Sequence, residues 1–196
     1  MVESTLKSQF SDIEIATLKE NAAHNFTIKH AKSRDLGYQL LFTDGLANFN
    51  QPIKEGFEAY QHIELYFCLP DYWNLDKENW PIKWLSRIAQ VPQKNSTWFG
   101  PGDTIPAGSP PEILSDRFPA NHFMLCDPIK ANFFEDNPWK ESGISFLGLI
   151  PIAQQELDYK LRNSATVLLQ RLEKKGHTEL VDLFRSPVCR KRILGF

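Results

Sequence analysis

The chain has 196 residues, enough for one compact domain and too few for two full-sized ones. Its 42% hydrophobic and 23% charged residues exclude a disordered, collagenous or coiled-coil chain. Twenty-two basic against 24 acidic side chains leave a net charge of −2, which argues against a general nucleic-acid binder, since that role needs a concentrated basic surface.

Five Trp, five Tyr and fourteen Phe supply a large apolar payload and flat anchors for interfaces. The three cysteines, Cys68, Cys126 and Cys189, are scattered and odd in number, which fits a reducing compartment. Met1 to Phe10 lack the basic start and apolar run of a secretory signal, and no apolar run is long enough to span a bilayer. The expectation is a cytoplasmic protein without membrane contact. The one locally basic stretch, Arg185, Arg190, Lys191 and Arg192, reads as a solvated terminus.

In chain order, Ser11 to Ala23 reads as a helix, with Ser11 as its cap and Glu14 completing a capping box. Asn25 to His30 alternates as a half-buried strand, and Tyr38 to Thr43 reads as a second one, closed by the turn pair Asp44-Gly45. The clearest strand is Ile63 to Leu69: Ile63, Leu65, Phe67 and Leu69 share one face, Glu64, Tyr66 and Cys68 the other, and Pro70 ends it. The second face is expected to be exposed.

Pro81 suits the first turn of a helix carrying Trp84, Leu85 and Ile88, stopped by Pro92. Gly100 to Pro119 is rich in Gly and Pro and reads as a long structured loop, a feature uncommon in compact domains and often functional. His122 to Cys126 and Ile144 to Ile150 are further strands, the latter ended by Pro151. Leu157, Leu161, Ala165, Leu168 and Leu172 make one helical stripe from Ala153 to Lys175, stopped at Gly176, and His177 to Phe184 reads as a short final helix. Clustered strands with one long helix give an α+β fold: a mixed, largely antiparallel sheet sandwiched by helices. The expected core includes Leu65, Phe67, Trp84, Leu85, Leu161 and Leu168.

No histidine stands at zinc-ligand spacing, and the GxSxG, GxxxxGK and GxGxxG signatures are absent, so no metal or cofactor is expected. Cys68 near His62 and Cys126 near His122 invite a nucleophile reading, but a cysteine ending an apolar strand is usually a small buried hydrophobe. Glu64 with Asp103 could form a carboxylate pair only if the fold brings them together. In Trp98-Phe99-Gly100-Pro101-Gly102-Asp103-Thr104-Ile105-Pro106, two large rings adjoin a stiff loop presenting a carboxylate and a hydroxyl, a loop with little conformational entropy to lose on binding. Two readings stay open: the rings plug the core while Asp103 holds a turn, or the loop meets a partner.

Four blocks carry a resemblance: Ile63-Glu64-Leu65-Tyr66-Phe67-Cys68-Leu69-Pro70; Trp80-Pro81-Ile82-Lys83-Trp84-Leu85; Thr97-Trp98-Phe99 with Gly102-Asp103-Thr104-Ile105-Pro106; and Leu149-Ile150-Pro151 with Glu156-Leu157-Asp158-Tyr159-Lys160-Leu161. In order and spacing they resemble the Suppressor of fused family over roughly Asn25 to Arg192. The resemblance implies residues 25–196 as the family domain, with residues 1–24 as an N-terminal helical extension. It implies a domain without cofactor or catalysis. Eukaryotic members restrain Gli-type transcription factors by direct binding, using a second, C-terminal domain for which this chain has no room. The chain looks like the shorter bacterial form, for which the implied role is an immunity protein neutralising a toxin domain, as a monomer or weak homo-oligomer. Asp103 falls on the acidic residue that helps hold a Gli peptide. Trp80, Pro81, Trp84 and Trp98 fit the framework.

The expected partner-binding residues are therefore Asp103, Thr104, Trp98 and Phe99, with Glu64 and Tyr66 on the neighbouring strand face. Two rivals are a hydrolase or transferase built from Asp103, Thr104, Glu64 and a histidine, and a regulator that sequesters a transcription factor. A catalytic role requires convergence in one pocket, whereas binding requires a broad face with aromatic anchors.

Overall fold

The computed structural model describes residues 2–136 and 138–189. Arg190, Lys191 and Arg192 lie outside the described residues. Helix α1 (Val2–Gln9) precedes strands β1 (Glu14–Asn21), β2 (Phe26–Ser33), β3 (Tyr38–Asp44) and β4 (Ile63–Pro70). Helices α2 (Trp80–Ala89) and α3 (Val91–Asn95) lead to β5 (Thr104–Pro106), β6 (Ala120–Cys126) and β7 (Ser145–Ala153), and then α4 (Gln154–Arg162) and α5 (Ala165–Glu173). The strands form one open mixed sheet in the order β1-β2-β3-β4-β7-β6-β5, antiparallel except for β4 beside β7.

The period-2 pattern of β4 places Ile63, Leu65, Phe67 and Leu69 in the core under α2, where Trp80, Trp84, Leu85 and Ile88 form the covering face. Its other face is buried as well. Tyr66 and Cys68 join Val2 and Leu6 of α1, Leu40 and Phe42 of β3, and the rings of Phe134, Trp139 and Phe146. Phe134 and Phe146 stack at 3.9 Å between centroids. Beyond β7, Met124, Cys126, Ile150 and Ile152 pack under Leu168 and Leu172 of α5. The expected exposed face carrying Glu64 and Tyr66 is thus corrected: β4 lies centrally, and both side chains are 1% exposed or less.

Ser11 to Ala23 is mostly strand where a helix was expected. Glu14–Asn21 pairs with β2 around a tight turn in which Asn25 adopts a left-handed backbone (φ 54°), and tertiary pairing overrides the capping pattern. Of the expected N-terminal helical extension, the described residues 2–24 are helical at Val2–Gln9 and in the single turn Ala22–His24, and Glu14–Asn21 is strand. The long helix from Ala153 is broken at Asn163. Ser164 is extended and its hydroxyl accepts from the Val167 amide, restarting the chain as α5. The break turns Leu161 outward to 68% exposure and removes it from the expected core.

Residues 177–184 form no helix. Leu180 bridges Cys68, the Val181 amide donates to the Cys68 carbonyl, and Val181 and Leu183 enter the core under α2. Pro151 does not end β7. Its carbonyl accepts from Arg185, so its missing N–H faces away from the β6 ladder and costs no bond there. Arg185 is no solvated terminus: it is buried and holds Glu156 through both guanidinium ends.

Candidate partner-binding edge

The segment from Trp98 to Pro106 closes the sheet at the β5 edge. Phe99 is buried at 6% exposure, while Trp98, Asp103 and Thr104 are half-buried. Gln51, itself 3% exposed, clamps the loop from below: its side-chain amide donates to the Tyr60 and Phe99 carbonyls, and its oxygen accepts from the Phe99 amide at 2.9 Å. That clamp joins the loop to residues 57–61 and sets Phe57 beside Trp98, 4.8 Å between ring centroids. Gly100 lies under the Trp98 ring, where a Cβ would come within 2.7 Å of it, and Gly102 takes φ 89°.

Asp103 caps this turn. One carboxylate oxygen accepts from the Gly100 amide at 2.9 Å, and no bond is made by the other among the described residues. The Gly102 amide donates to the Leu125 carbonyl and the Leu125 amide to the Asp103 carbonyl, which welds the loop to β6. With Ile105 opposite Phe123 and the Ala107 amide on the Asn121 carbonyl, the odd-numbered residues face β6. The N–H and C=O of Thr104 face the open side. Pro106 blunts that edge further along, having no N–H to offer.

The other sequence candidates are structural. Glu64 accepts from the Thr43 hydroxyl (2.5 Å) and the Gly45 and Ala47 amides, so its carboxylate fastens the turn after β3. Burial pushes its pKa up to about 7. Tyr66 donates to Glu179, which also accepts from the amides of residues 129, 130 and 131. Glu64 and Asp103 are separated by β7 and β6, three strand steps or about 14 Å, so the carboxylate pair does not form. Cys68 lies six residues beyond His62, which directly precedes β4, about 20 Å, and Cys126 four from His122 along β6, about 13 Å; neither dyad exists. Burial raises both thiols well above the usual range. Among the described residues no cluster of His, Cys, Asp or Glu is disposed to hold a metal ion, and no helix is long and apolar enough to cross a membrane.

Sequence reasoning missed Gln51 and Phe57. Both belong to a stretch without periodicity, and only the turn signal of Gly56 marked it.

Residues 22–186 match the family model for Suppressor of fused protein (SUFU). The chain belongs to the Suppressor of fused family. A comparison with curated proteins finds no match. Among solved structures, the Suppressor of fused fold recurs in a SUFU homologue from Neisseria gonorrhoeae FA 1090, 16% identical with a TM-score of 0.65, over 97% of this chain and 96% of that one. It recurs in the Sufu–Fu complex (16% identity, TM-score 0.53, 90% of this chain and 76% of that one). Drosophila Suppressor of Fused is similar at 17% identity and TM-score 0.54; this chain is covered to 90% and spans 42% of the Drosophila protein. At these identities the likeness is one of fold.

Proposed function

We propose that the chain is a non-catalytic immunity protein that binds a bacterial toxin domain in the cytoplasm and occludes it, docking through the β5 edge. The observation that carries this reading is the construction of that edge: a stiff turn welded to β6 and to Gln51, an open carboxylate oxygen on Asp103, the outward backbone of Thr104 and a partly exposed ring pair. A pre-ordered loop loses little entropy on docking, and an open strand edge can accept a partner strand. Phe99 supports the platform from beneath, and Glu64 and Tyr66 act only by fixing the sheet behind it. The family relative in the Sufu–Fu complex is one that engages another protein.

The hydrolase or transferase reading lacks its site, because Glu64 stands three strands from Asp103 and is consumed by three donors. Nothing in the fold favours a transcription factor over a toxin as partner.

The test is co-expression with the C-terminal domain of the product of the adjacent reading frame. The chain should restore growth and form a stoichiometric complex. Asp103→Ala loses one turn bond, worth about 1 kcal/mol of stability, yet should weaken the complex by about 1 to 3 kcal/mol. Trp98→Ala should weaken it at least as much. Growth arrest despite soluble expression, or unchanged affinity in both variants, would overturn the proposal.

A further inference from the structure

At the opposite end of the sheet the surface is hollowed into a continuous trough. It runs between β1 and the loop that follows β4, through three adjoining cavities of about 490, 370 and 370 Å³ that share Lys32 or His30. β1 forms one wall with Glu14 and Leu18; Asp71, Tyr72 and Asp76 form the other. No helix covers it. The β1 wall from Glu14 to Leu18 spans four residue steps, about 13 Å, and the turn at Asp12 prolongs it, so the trough takes an extended segment of at least four residues.

Two independent features describe what fits. Tyr72 is 69% exposed and Leu18 39%, an apolar pair facing across the trough. Four carboxylates, Asp12, Glu14, Asp71 and Asp76, line it against two cations, Lys32 and Arg34, and none of the four stands in an ion pair within 4.0 Å among the described residues. Asp12 is held ionised by the Ser33 hydroxyl and the Arg34 amide. On the floor, the His30 ring binds the Gln39 side chain, and burial lowers its pKa, so it adds no positive charge near neutrality. The trough is therefore net negative, with a ring and an aliphatic side chain placed to cover lysine or arginine stems.

We infer that this trough docks an extended, basic segment of a second partner protein, carrying Lys or Arg at alternate positions. Its β1 wall lies six strand steps from β5, about 29 Å, and its other wall, after β4, three steps, about 14 Å, so the two surfaces do not overlap.

The test uses the full chain, isotope-labelled, titrated at low salt with an acetylated, amidated (Lys-Thr)₃ peptide and its (Glu-Thr)₃ counterpart. Saturable amide shifts confined to residues 12–18, 30–34 and 71–76 are expected with the first peptide and none with the second. Asp71→Asn with Asp76→Asn should weaken binding at least tenfold at unchanged melting temperature, Tyr72→Ala should weaken it several-fold, and Asp103→Ala should leave it unaltered. No saturable shifts, shifts scattered over the whole acidic surface, equal binding of both peptides, or indifference to the Asp variants would overturn the inference. So would concentration-dependent dimerisation lost in Tyr72→Ala, which would assign the trough to a second copy.

Discussion

Glu64 shows how a single buried carboxylate ties local structure to solution behaviour. Three donors hold it, yet its folded pKa rises to about 7 against an ordinary value of 4.5. A raised folded pKa means that the native state binds the proton more tightly than the unfolded chain. Its contribution to stability is complete below about pH 4.5 and is lost as pH rises through 7. Denaturant melts should therefore show stability falling over that window, and Glu64→Gln should flatten the fall. Glu3 works in the other direction. Lys29 and Lys7 hold it down at about 2, so what it contributes in tying α1 to β2 is present above pH 4.5 and fades only as acid approaches pH 2. The two windows do not overlap, so Glu64→Gln separates them.

At the scale of elements, β4 and α2 are legible because one force dominates each: strict alternation from Ile63 to Leu69, and Pro81 ahead of Trp84, Leu85 and Ile88. Elements decided by distant partners were not. Glu14 to Asn21 has no strong strand pattern of its own, and its pairing with β2 comes from the hairpin as a whole. Residues 177–184 carry helical spacing, but Glu179 is drawn into the amides of residues 129–131 and the backbone is pulled straight along Cys68. In the candidate site, Trp98, Asp103 and Thr104 were legible from the Gly/Pro setting, whereas the Gln51 clamp spans 48 residues and leaves no local mark. The interrupted stripe gives a sharp contrast. Leu65→Ala should cost about 2 to 5 kcal/mol because it opens a cavity in a filled core. Leu161→Ala, at a solvent-facing position, should stay within about 0.5 kcal/mol by the same denaturant melts.

For the whole molecule, the sheet grades from centre to edge. β4 and β7 are covered on both faces, whereas β1 is exposed at most positions and kinked by a bulge between Thr17 and Lys19. Amide exchange should follow this gradient, slowest in β4 and β7, near the global unfolding free energy, and fastest in β1 and β5. Uniform protection across the sheet would contradict that order. Both proposed surfaces lie on the rim of the gradient, where docking can reshape the chain without disturbing its core.

The parallel contact between β4 and β7 carries a consequence for synthesis on the ribosome. Pro70 leaves the exit tunnel with β3 already available on one side, but its neighbour on the other begins only at Ser145. At roughly 5 to 20 residues per second, the most apolar strand of the nascent chain waits about 4 to 15 s with one edge open. During that interval its open edge is a template for pairing with a strand of another chain, so the late arrival of β7 is the step at which the newborn chain is most exposed to aggregation.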